Sequence, residues 1–168
     1  MPWETQVGMG VKKITLAVDD IYEFPGSSQD NILLEIDKFW GSGESFSGIG
    51  LTHRRGYLLY GPPGHGKTII IQRVIRDVIK RKGIALLISD RPPSLFSQAL
   101  SLIRDIEPDK SIVCIYEDID ALIEKYDEPT VLSMLDGEAQ VDHCLSIAST
   151  NYPEKLDNRI VSRPRRFD

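Results

Sequence analysis

The sequence predicts an α/β protein in which a parallel β-sheet carries helices on both faces. Apolar runs typical of buried strands alternate with segments whose apolar residues recur at helical spacing, along most of the 168 residues. A glycine-rich loop connects one of these strands to a helix, and adjacent acidic residues follow another strand. In open α/β sheets, ligands bind where the strands end, so these two features predict a binding site at one edge.

The chain before the glycine-rich loop is predicted to contain a leading extension and one helix. Residues 1–28 mix glycine, lysine and polar residues, and we interpret them as an extension ahead of a single domain at 29–168. Ser28 or Asp30 is a suitable N-cap for a helix with apolar residues on one face. Residues 46–55 are predicted to form a loop that leads into the next strand.

The glycine-rich loop has the spacing G-x-x-x-x-G-K-[ST], and an apolar strand precedes it. Its glycines let backbone N–H groups point at phosphate oxygens, at the positive end of the following helix. Lys67 is predicted to reach the β- and γ-phosphates, and the Thr68 hydroxyl to bind Mg²⁺. The alternative, a glycine-rich turn with an unrelated lysine, does not account for the strand–loop–helix context. The predicted nucleotide-contacting residues are Gly61, Pro62, Pro63, Gly64, His65, Gly66, Lys67, Thr68 and Ile69.

Strands and helices continue to alternate after this loop. Residues 84–88 form a continuous apolar run, which predicts a buried strand. Residues 111–116 are predicted to form another buried strand, and residues 145–149 a further strand. Ser94 is predicted to cap a helix, and residues 130–135 to form a short one.

Two acids, Glu117 and Asp118, end the second of these strands. A triphosphatase needs an acid that holds Mg²⁺ and a group that orients or deprotonates the attacking water. The alternative is an ordinary acidic loop after a strand. The phosphate loop upstream favours the catalytic interpretation.

Several motifs together resemble those of AAA+ ATPases, from about Ile32 to the C-terminus. They are the phosphate loop, the acids with Ile119-Asp120-Ala121-Leu122, Ser149-Thr150-Asn151, and Leu156-Asp157 with Arg163-Pro164-Arg165-Arg166-Phe167-Asp168. Within that superfamily, the Glu-then-Asp order and the run from Arg54 to Gly64 are most similar to the Bcs-type branch, the relatives of the mitochondrial translocase for the Rieske iron–sulfur protein. The resemblance implies an AAA+ large subdomain.

The resemblance implies a role for each matching residue. Glu117 lies in the position of the Mg²⁺-coordinating aspartate, and Asp118 in that of the catalytic glutamate. Asp118 is one methylene shorter than glutamate, which shortens its reach to the attacking water. Asn151 matches the sensor asparagine, which hydrogen-bonds the γ-phosphate or the water; the alternative is that Asn151 turns the chain before Pro153.

Two further assignments come from the resemblance. Arg163 and Arg166 match the arginine fingers that reach the active site of a neighbouring subunit. Arg165 stands where glycine is usual, so any of the three arginines can be the finger, and a solvated basic tail is the alternative. Asp20 and Ile21 lie where the family contacts adenine, with an ordinary turn as the alternative.

This sequence also departs from the family pattern in two places. It stops at Asp168, where family members continue into a last strand and a helical lid, so we expect a subdomain truncated before both. Residues 90–96 contain no glycine and lack the aromatic-hydrophobic-Gly motif of pore loops that thread polypeptides. We predict that Phe96 packs in the core.

Composition narrows the possible functions. The net charge of −5 provides no global basic field of the kind that nucleic-acid binders show. No run reaches the roughly 18 apolar residues of a membrane-spanning helix, and the N-terminus lacks a signal pattern, so we expect a cytoplasmic protein.

Cys114 and Cys144 lie in apolar runs and are interpreted as buried, reduced thiols. His53 and His143 lack metal-ligand spacing.

The sequence thus predicts a Mg²⁺-dependent ATPase that assembles with itself into a ring and reshapes a macromolecular client, protein rather than nucleic acid. One alternative is a nucleotide-gated assembly module with negligible hydrolysis, favoured by the reversed order of Glu117 and Asp118. A second is a small-molecule kinase, against which Asn151 and the C-terminal arginines argue. A DNA-loading ATPase is a variant of the predicted ring ATPase, and the acidic net charge weighs against it.

Overall fold

Four parallel strands form one sheet in the part of the chain that the computed structural model describes, residues 28–88, 92–138, 141–157, 160 and 167. The strands are β1 (Arg54–Tyr60), β2 (Ile84–Ile88), β3 (Ile112–Tyr116) and β4 (Cys144–Thr150). Their spatial order is β1-β4-β3-β2, and all three neighbouring pairs are parallel. The predicted parallel α/β sheet is therefore confirmed.

Helices cover both faces of this sheet. They are α1 (Ser28–Gly41), α2 (Gly43–Gly48), α3 (Lys67–Lys80), α4 (Pro93–Ile106), α5 (Ile119–Tyr126) and α6 (Glu128–Glu138), followed after β4 by a short 3₁₀ helix at Pro153–Lys155. Side chains of the central strand β3 alternate between the faces, as a strand requires. Ile112, Cys114 and Tyr116 pack against α4, α5 and α6, whereas Val113 and Ile115 pack against α1 and α3.

Helix α3 is held to the sheet by one apolar face. Its buried residues are Ile70, Ile71, Val74, Ile75 and Val78. Burying a Val or Ile side chain contributes about 1.5–3 kcal/mol relative to leaving it in water. Because five such side chains anchor the helix, its N-terminus is fixed against the end of β1, where the phosphate loop lies.

The structure corrects two of the predicted elements. Residues 46–55 are not all loop, because Phe46 belongs to α2 and lies near the rings of Phe39 and His53. Strand β2 is not fully buried: in the described sheet it pairs with β3 alone, and Leu87 remains 38% exposed. A continuous apolar run does not distinguish an edge strand covered on one side from a central strand.

Two helix starts also differ from the predictions. Helix α4 begins at Pro93 with Pro92 as its N-cap, not at a Ser94 cap, because proline suits the first turn, where its missing N–H is not needed. No helix was predicted at α5, yet it starts directly after the two acids. Phe96 is buried, as predicted.

The remaining structural predictions concern cysteines and membrane segments. Cys114 and Cys144 are buried and unbridged, with their Sγ atoms 3.7 Å apart, as the sequence predicts. Among the described residues, no helix combines the length and apolar character that crossing a bilayer requires.

His53 is an imidazole buried between α1, β1 and the segment that leads into β4. It is 2% exposed and its ring stacks on Phe39 at 4.2 Å between centroids. Its Nε2 donates to the Phe39 carbonyl (2.8 Å), so its Nδ1 accepts from the Nδ1–H of His143 (3.1 Å) in the neutral ring. Burial lowers the pKa of His53 below its ordinary value, and proximity to His143 lowers it further.

This burial makes folding stability depend on pH. The unfolded chain, in which His53 has its ordinary pKa of 6.5, binds the proton more readily than the folded chain. The free energy of unfolding should therefore fall as the pH drops through and below this value, and the His53→Gln variant should show a shallower fall. Urea unfolding between about pH 8 and pH 5.5 measures both slopes.

His65→Gln is the matched control, because it removes an exposed imidazole and should leave the slope unchanged. If the His53→Gln and wild-type slopes are equal, His53 does not carry this pH dependence.

Candidate nucleotide site

The phosphate loop joins β1 to α3 in a conformation suited to glycine. Gly64 and Gly66 have φ angles of 81° and 83°, in the left-handed region where other residues are strained. A Cβ on Gly64 would meet no atom within 4 Å, so the backbone angle and not packing calls for glycine there. Gly66 is the N-cap of α3, and the unpaired N–H groups of its first turn therefore face the loop, as phosphate binding requires.

Lys67 holds the loop together through its side chain. Its Nζ donates to the carbonyl of Gly61 at 2.6 Å and to that of Pro62 at 3.0 Å. The ammonium group is thus already positioned inside the loop. A polyphosphate that enters must replace these two carbonyls as the partner of Lys67, and a charged oxygen forms the stronger hydrogen bond.

The other predicted contact residues of the loop are accessible. Pro62, Pro63, His65, Thr68 and Ile69 are all exposed. His65 Nδ1 lies 3.2 Å from the carbonyl of Pro63, so this imidazole folds back on its own loop. The loop therefore offers both its backbone and the Thr68 hydroxyl to a ligand from solvent.

Strand register brings the three predicted motifs to one edge of the sheet. Tyr60, the last residue of β1, is paired with Thr150, the last residue of β4. On the other side of β4, Tyr116 at the end of β3 is paired with Ala148. The phosphate loop, Asn151 and the two acids consequently leave adjacent parallel strands at the same end, where such sheets bind ligands.

Asp118 and Asn151 contact each other at this edge. Asn151 Nδ2 donates to Asp118 Oδ1 at 3.4 Å, and both residues reach solvent. Asp118 has a left-handed backbone (φ 50°, ψ 58°), and its N–H donates to Ser149 Oγ at 3.2 Å. Aspartate tolerates this region better than most residues do. The predicted base and the predicted sensor are thus neighbours.

Thr68 and Glu117 are suitable ligands for a nucleotide-bound Mg²⁺. Mg²⁺ prefers oxygen ligands and usually takes one or two from the protein, with phosphates and water completing its shell. Both side chains are exposed, Thr68 in the first turn of α3 and Glu117 directly after β3. The donor chemistry of these residues therefore fits the ion.

Three polar residues that carry no predicted role, Ser149, Thr150 and Asp120, support this edge. Ser149 bonds to the backbone of Asp118, and Thr150 Oγ1 donates to Asp120 Oδ1 at 2.6 Å. The available signal was two hydroxyl residues directly before Asn151 and a third acid after Glu117 and Asp118.

Some predicted site residues lie outside the described residues and stay predictions. They are the adenine contacts Asp20 and Ile21 and the candidate fingers Arg163, Arg165 and Arg166.

Comparison with known proteins identifies the family. The profile described as "ATPase family associated with various cellular activities (AAA)" matches residues 57–168, a span that contains the phosphate loop, both acids and Asn151. The chain belongs to the AAA family. The resemblance to AAA+ ATPases is confirmed, and nucleotide binding through the phosphate loop is the property that this AAA membership implies.

Individual relatives agree with the Bcs-type branch of the AAA family. The chain is 32% identical over 157 residues to "Mitochondrial chaperone BCS1" of Danio rerio, covering 83% of this chain and 36% of the relative. It is 30% identical over 155 residues to the protein of the same name from Homo sapiens, with the same coverage. A "Proteasome-activating nucleotidase" of Methanococcus vannielii is 31% identical over 142 residues, 74% of this chain and 34% of that protein. The chain thus spans about a third of these relatives.

Removing the loop ammonium tests nucleotide binding at the AAA phosphate loop. We expect Lys67→Ala to lose roughly tenfold or more in affinity for ATP with Mg²⁺, because a charge-assisted hydrogen bond contributes about 1.5–3 kcal/mol. Isothermal titration calorimetry gives the affinity, and thermal unfolding without nucleotide reports whether the variant folds.

Lys80→Ala is the control, since Lys80 is an exposed lysine at the other end of α3. Equal ATP affinities of Lys67→Ala and Lys80→Ala would show that nucleotide does not bind at this loop.

Proposed function

We propose that this chain hydrolyses ATP as part of a ring of identical subunits and uses the energy to remodel a protein client. The observation that carries the proposal is the contact between Asp118 and Asn151 at the sheet edge that also bears the phosphate loop. A carboxylate, an amide and a phosphate-binding loop are the groups that hydrolysis of a γ-phosphate requires from one subunit.

Each of these groups has a distinct task in the proposed reaction. Lys67 exchanges its loop carbonyls for the β- and γ-phosphate oxygens and holds the γ-phosphate in place. The Asp118 carboxylate orients the attacking water and accepts its proton, while Asn151, which lies next to that carboxylate, hydrogen-bonds the water or the γ-phosphate. When bound, Mg²⁺ neutralises charge on the phosphates, and Thr68 and Glu117 are the residues that would hold it.

An arginine from a neighbouring subunit completes the proposed site. Arg163 and Arg166 match the family's fingers, with Arg165 as the third candidate. Such a finger raises turnover by roughly a thousandfold or more in related phosphoryl-transfer enzymes. Hydrolysis would therefore require assembly, and turnover per subunit would rise with protein concentration.

A protein client is supported by two observations. The chain carries a net charge of −5, which disfavours a polyanionic client such as DNA. Its relatives include proteins named as a mitochondrial chaperone and as a proteasome-activating nucleotidase. A chaperone and an activator of the proteasome, as these names describe them, both act on other proteins.

The second candidate function is a nucleotide-gated assembly module with little hydrolysis. It is favoured by Asp118, whose carboxylate is one methylene closer to the backbone than that of glutamate and already contacts Asn151. In this case ATP would control association, and phosphate release would be negligible.

A mixing experiment tests hydrolysis at a shared site. Asp118→Asn should bind ATP but release phosphate roughly a hundredfold or more slowly, because it loses its general base. A variant with Arg163, Arg165 and Arg166 all changed to alanine should also be slow. An equal mixture of the two should regain phosphate release, since fingers from Asp118→Asn subunits complete the intact sites of their neighbours.

Asp105→Asn is the control, because Asp105 is an exposed acid on α4, and it should match the wild type. A mixture that shows only the average of the separate rates would contradict the shared site. Wild-type chain that binds ATP tightly and releases no phosphate at any concentration would favour the assembly module.

A further inference from the structure

The segment Ser149-Thr150-Asn151 contacts the segment Asp118–Asp120 through all three of its side chains. Ser149 Oγ accepts the N–H of Asp118 at 3.2 Å, and Asn151 Nδ2 donates to the Asp118 carboxylate at 3.4 Å. Between them, Thr150 Oγ1 donates to Asp120 Oδ1 at 2.6 Å. Three consecutive residues at the end of β4 thus hold Asp118 and Asp120, in the part of the chain that follows β3.

The Thr150 hydroxyl uses both its donor and its acceptor capacity. Besides donating to Asp120, its oxygen accepts the backbone N–H of Tyr152 at 3.0 Å. Thr150 is 0% exposed and Asp120 is 9% exposed. A short hydrogen bond between a hydroxyl and a carboxylate, shielded from water, is among the stronger ones in proteins.

This buried hydroxyl lies beside both halves of the Asp118–Asn151 contact. Asp120 follows Asp118 by two residues in the first turn of α5, and Tyr152 directly follows Asn151. The Asp118–Asn151 hydrogen bond is long and open to solvent, so it is too weak to set its own geometry. The shorter, buried bonds on either side of it fix where the carboxylate and the amide can lie.

A second, exposed contact joins the same two elements further along. Lys155 Nζ lies 3.0 Å from Glu124 Oε1, which links the 3₁₀ helix after Asn151 to α5. Both side chains are largely in solvent, and exposed ion pairs of this kind contribute little to stability. Thr150 and Asp120 therefore provide the firmer connection.

We propose that Thr150, through Asp120, is a positioning residue that holds Asp118 and Asn151 in the arrangement that hydrolysis needs. The proposal rests on the hydrolytic function proposed above. Nucleotide affinity comes from the phosphate loop between β1 and α3, which Thr150 does not contact through its hydroxyl. Loss of the hydroxyl should slow the chemical step and leave ATP binding intact.

Two substitutions at Thr150 isolate the hydroxyl. Thr150→Val has nearly the same shape without the hydroxyl, and it should lower kcat roughly ten- to a hundredfold, because small displacements of catalytic groups have effects of this size. Its KM for ATP and the Kd measured by calorimetry should stay within about threefold of the wild type. Thr150→Ser keeps the hydroxyl and should retain wild-type kcat within about threefold.

A double variant separates positioning from folding. Thr150→Val leaves the buried Asp120 carboxylate without its donor, which destabilises the fold. Thr150→Val combined with Asp120→Leu replaces both partners by apolar side chains of similar shape, so thermal stability should recover. Its kcat should remain as low as that of Thr150→Val, since α5 and the Asn151 segment are still not joined by this bond.

The outcomes distinguish this proposal from the proposed function. If the wild-type protein releases phosphate and the folded double variant has the same kcat as the wild type, the positioning role is overturned and the hydrolytic function stands. A Thr150→Ser kcat as low as that of Thr150→Val would also overturn it, because the hydroxyl would then be irrelevant. Absence of wild-type phosphate release would refute the hydrolytic function, and the positioning role with it.

Discussion

The parallel alignment of β1, β4 and β3 is the constraint on which the rest of the site depends. Because neighbouring strands run in the same direction, their carboxyl ends meet at one edge, and the segments that leave them are forced together. The phosphate loop, Asn151 and the acids come from three segments that are far apart in sequence. Pairing of Tyr60 with Thr150 and of Tyr116 with Ala148 fixes where each of these segments begins along the strand direction.

Burial makes that alignment rigid. Ile147 of β4 and Ile115 of β3 lie in the core shared with α1 and α3, and both are almost completely shielded from water. A one-residue slip would move these side chains to the opposite face of the sheet, so the core itself specifies the register. Stability in the sheet and geometry at its edge therefore have the same physical origin.

Much of this arrangement could be predicted from the sequence, because it depends on local patterns. The phosphate loop requires glycines and a lysine at fixed spacing, and the buried strand β3 is a continuous apolar run. Strand order is not a local property, which is why β2 was predicted to be buried although it lies at the edge of the described sheet. Helix α5 was missed because it follows the acids without a separate start signal.

The polar contacts of the site could not be predicted from the sequence, for a related reason. Nothing in the spacing of Thr150 and Asp120 shows that the two meet, since their contact depends on how β4 and β3 are paired. Family resemblance assigned roles to Asp118 and Asn151 by position alone. The structure adds the hydrogen bonds around them, and with these a physical reason for the position of each side chain.

A crystal structure with Mg²⁺ and a non-hydrolysable ATP analogue tests the central claim most directly, namely that one sheet edge assembles a single triphosphate site. The account predicts that Lys67 leaves the carbonyls of Gly61 and Pro62 for the β- and γ-phosphates, with the γ-phosphate facing Asp118 and Asn151. Nucleotide bound at this loop with its γ-phosphate directed away from that pair, or nucleotide bound elsewhere, would contradict it.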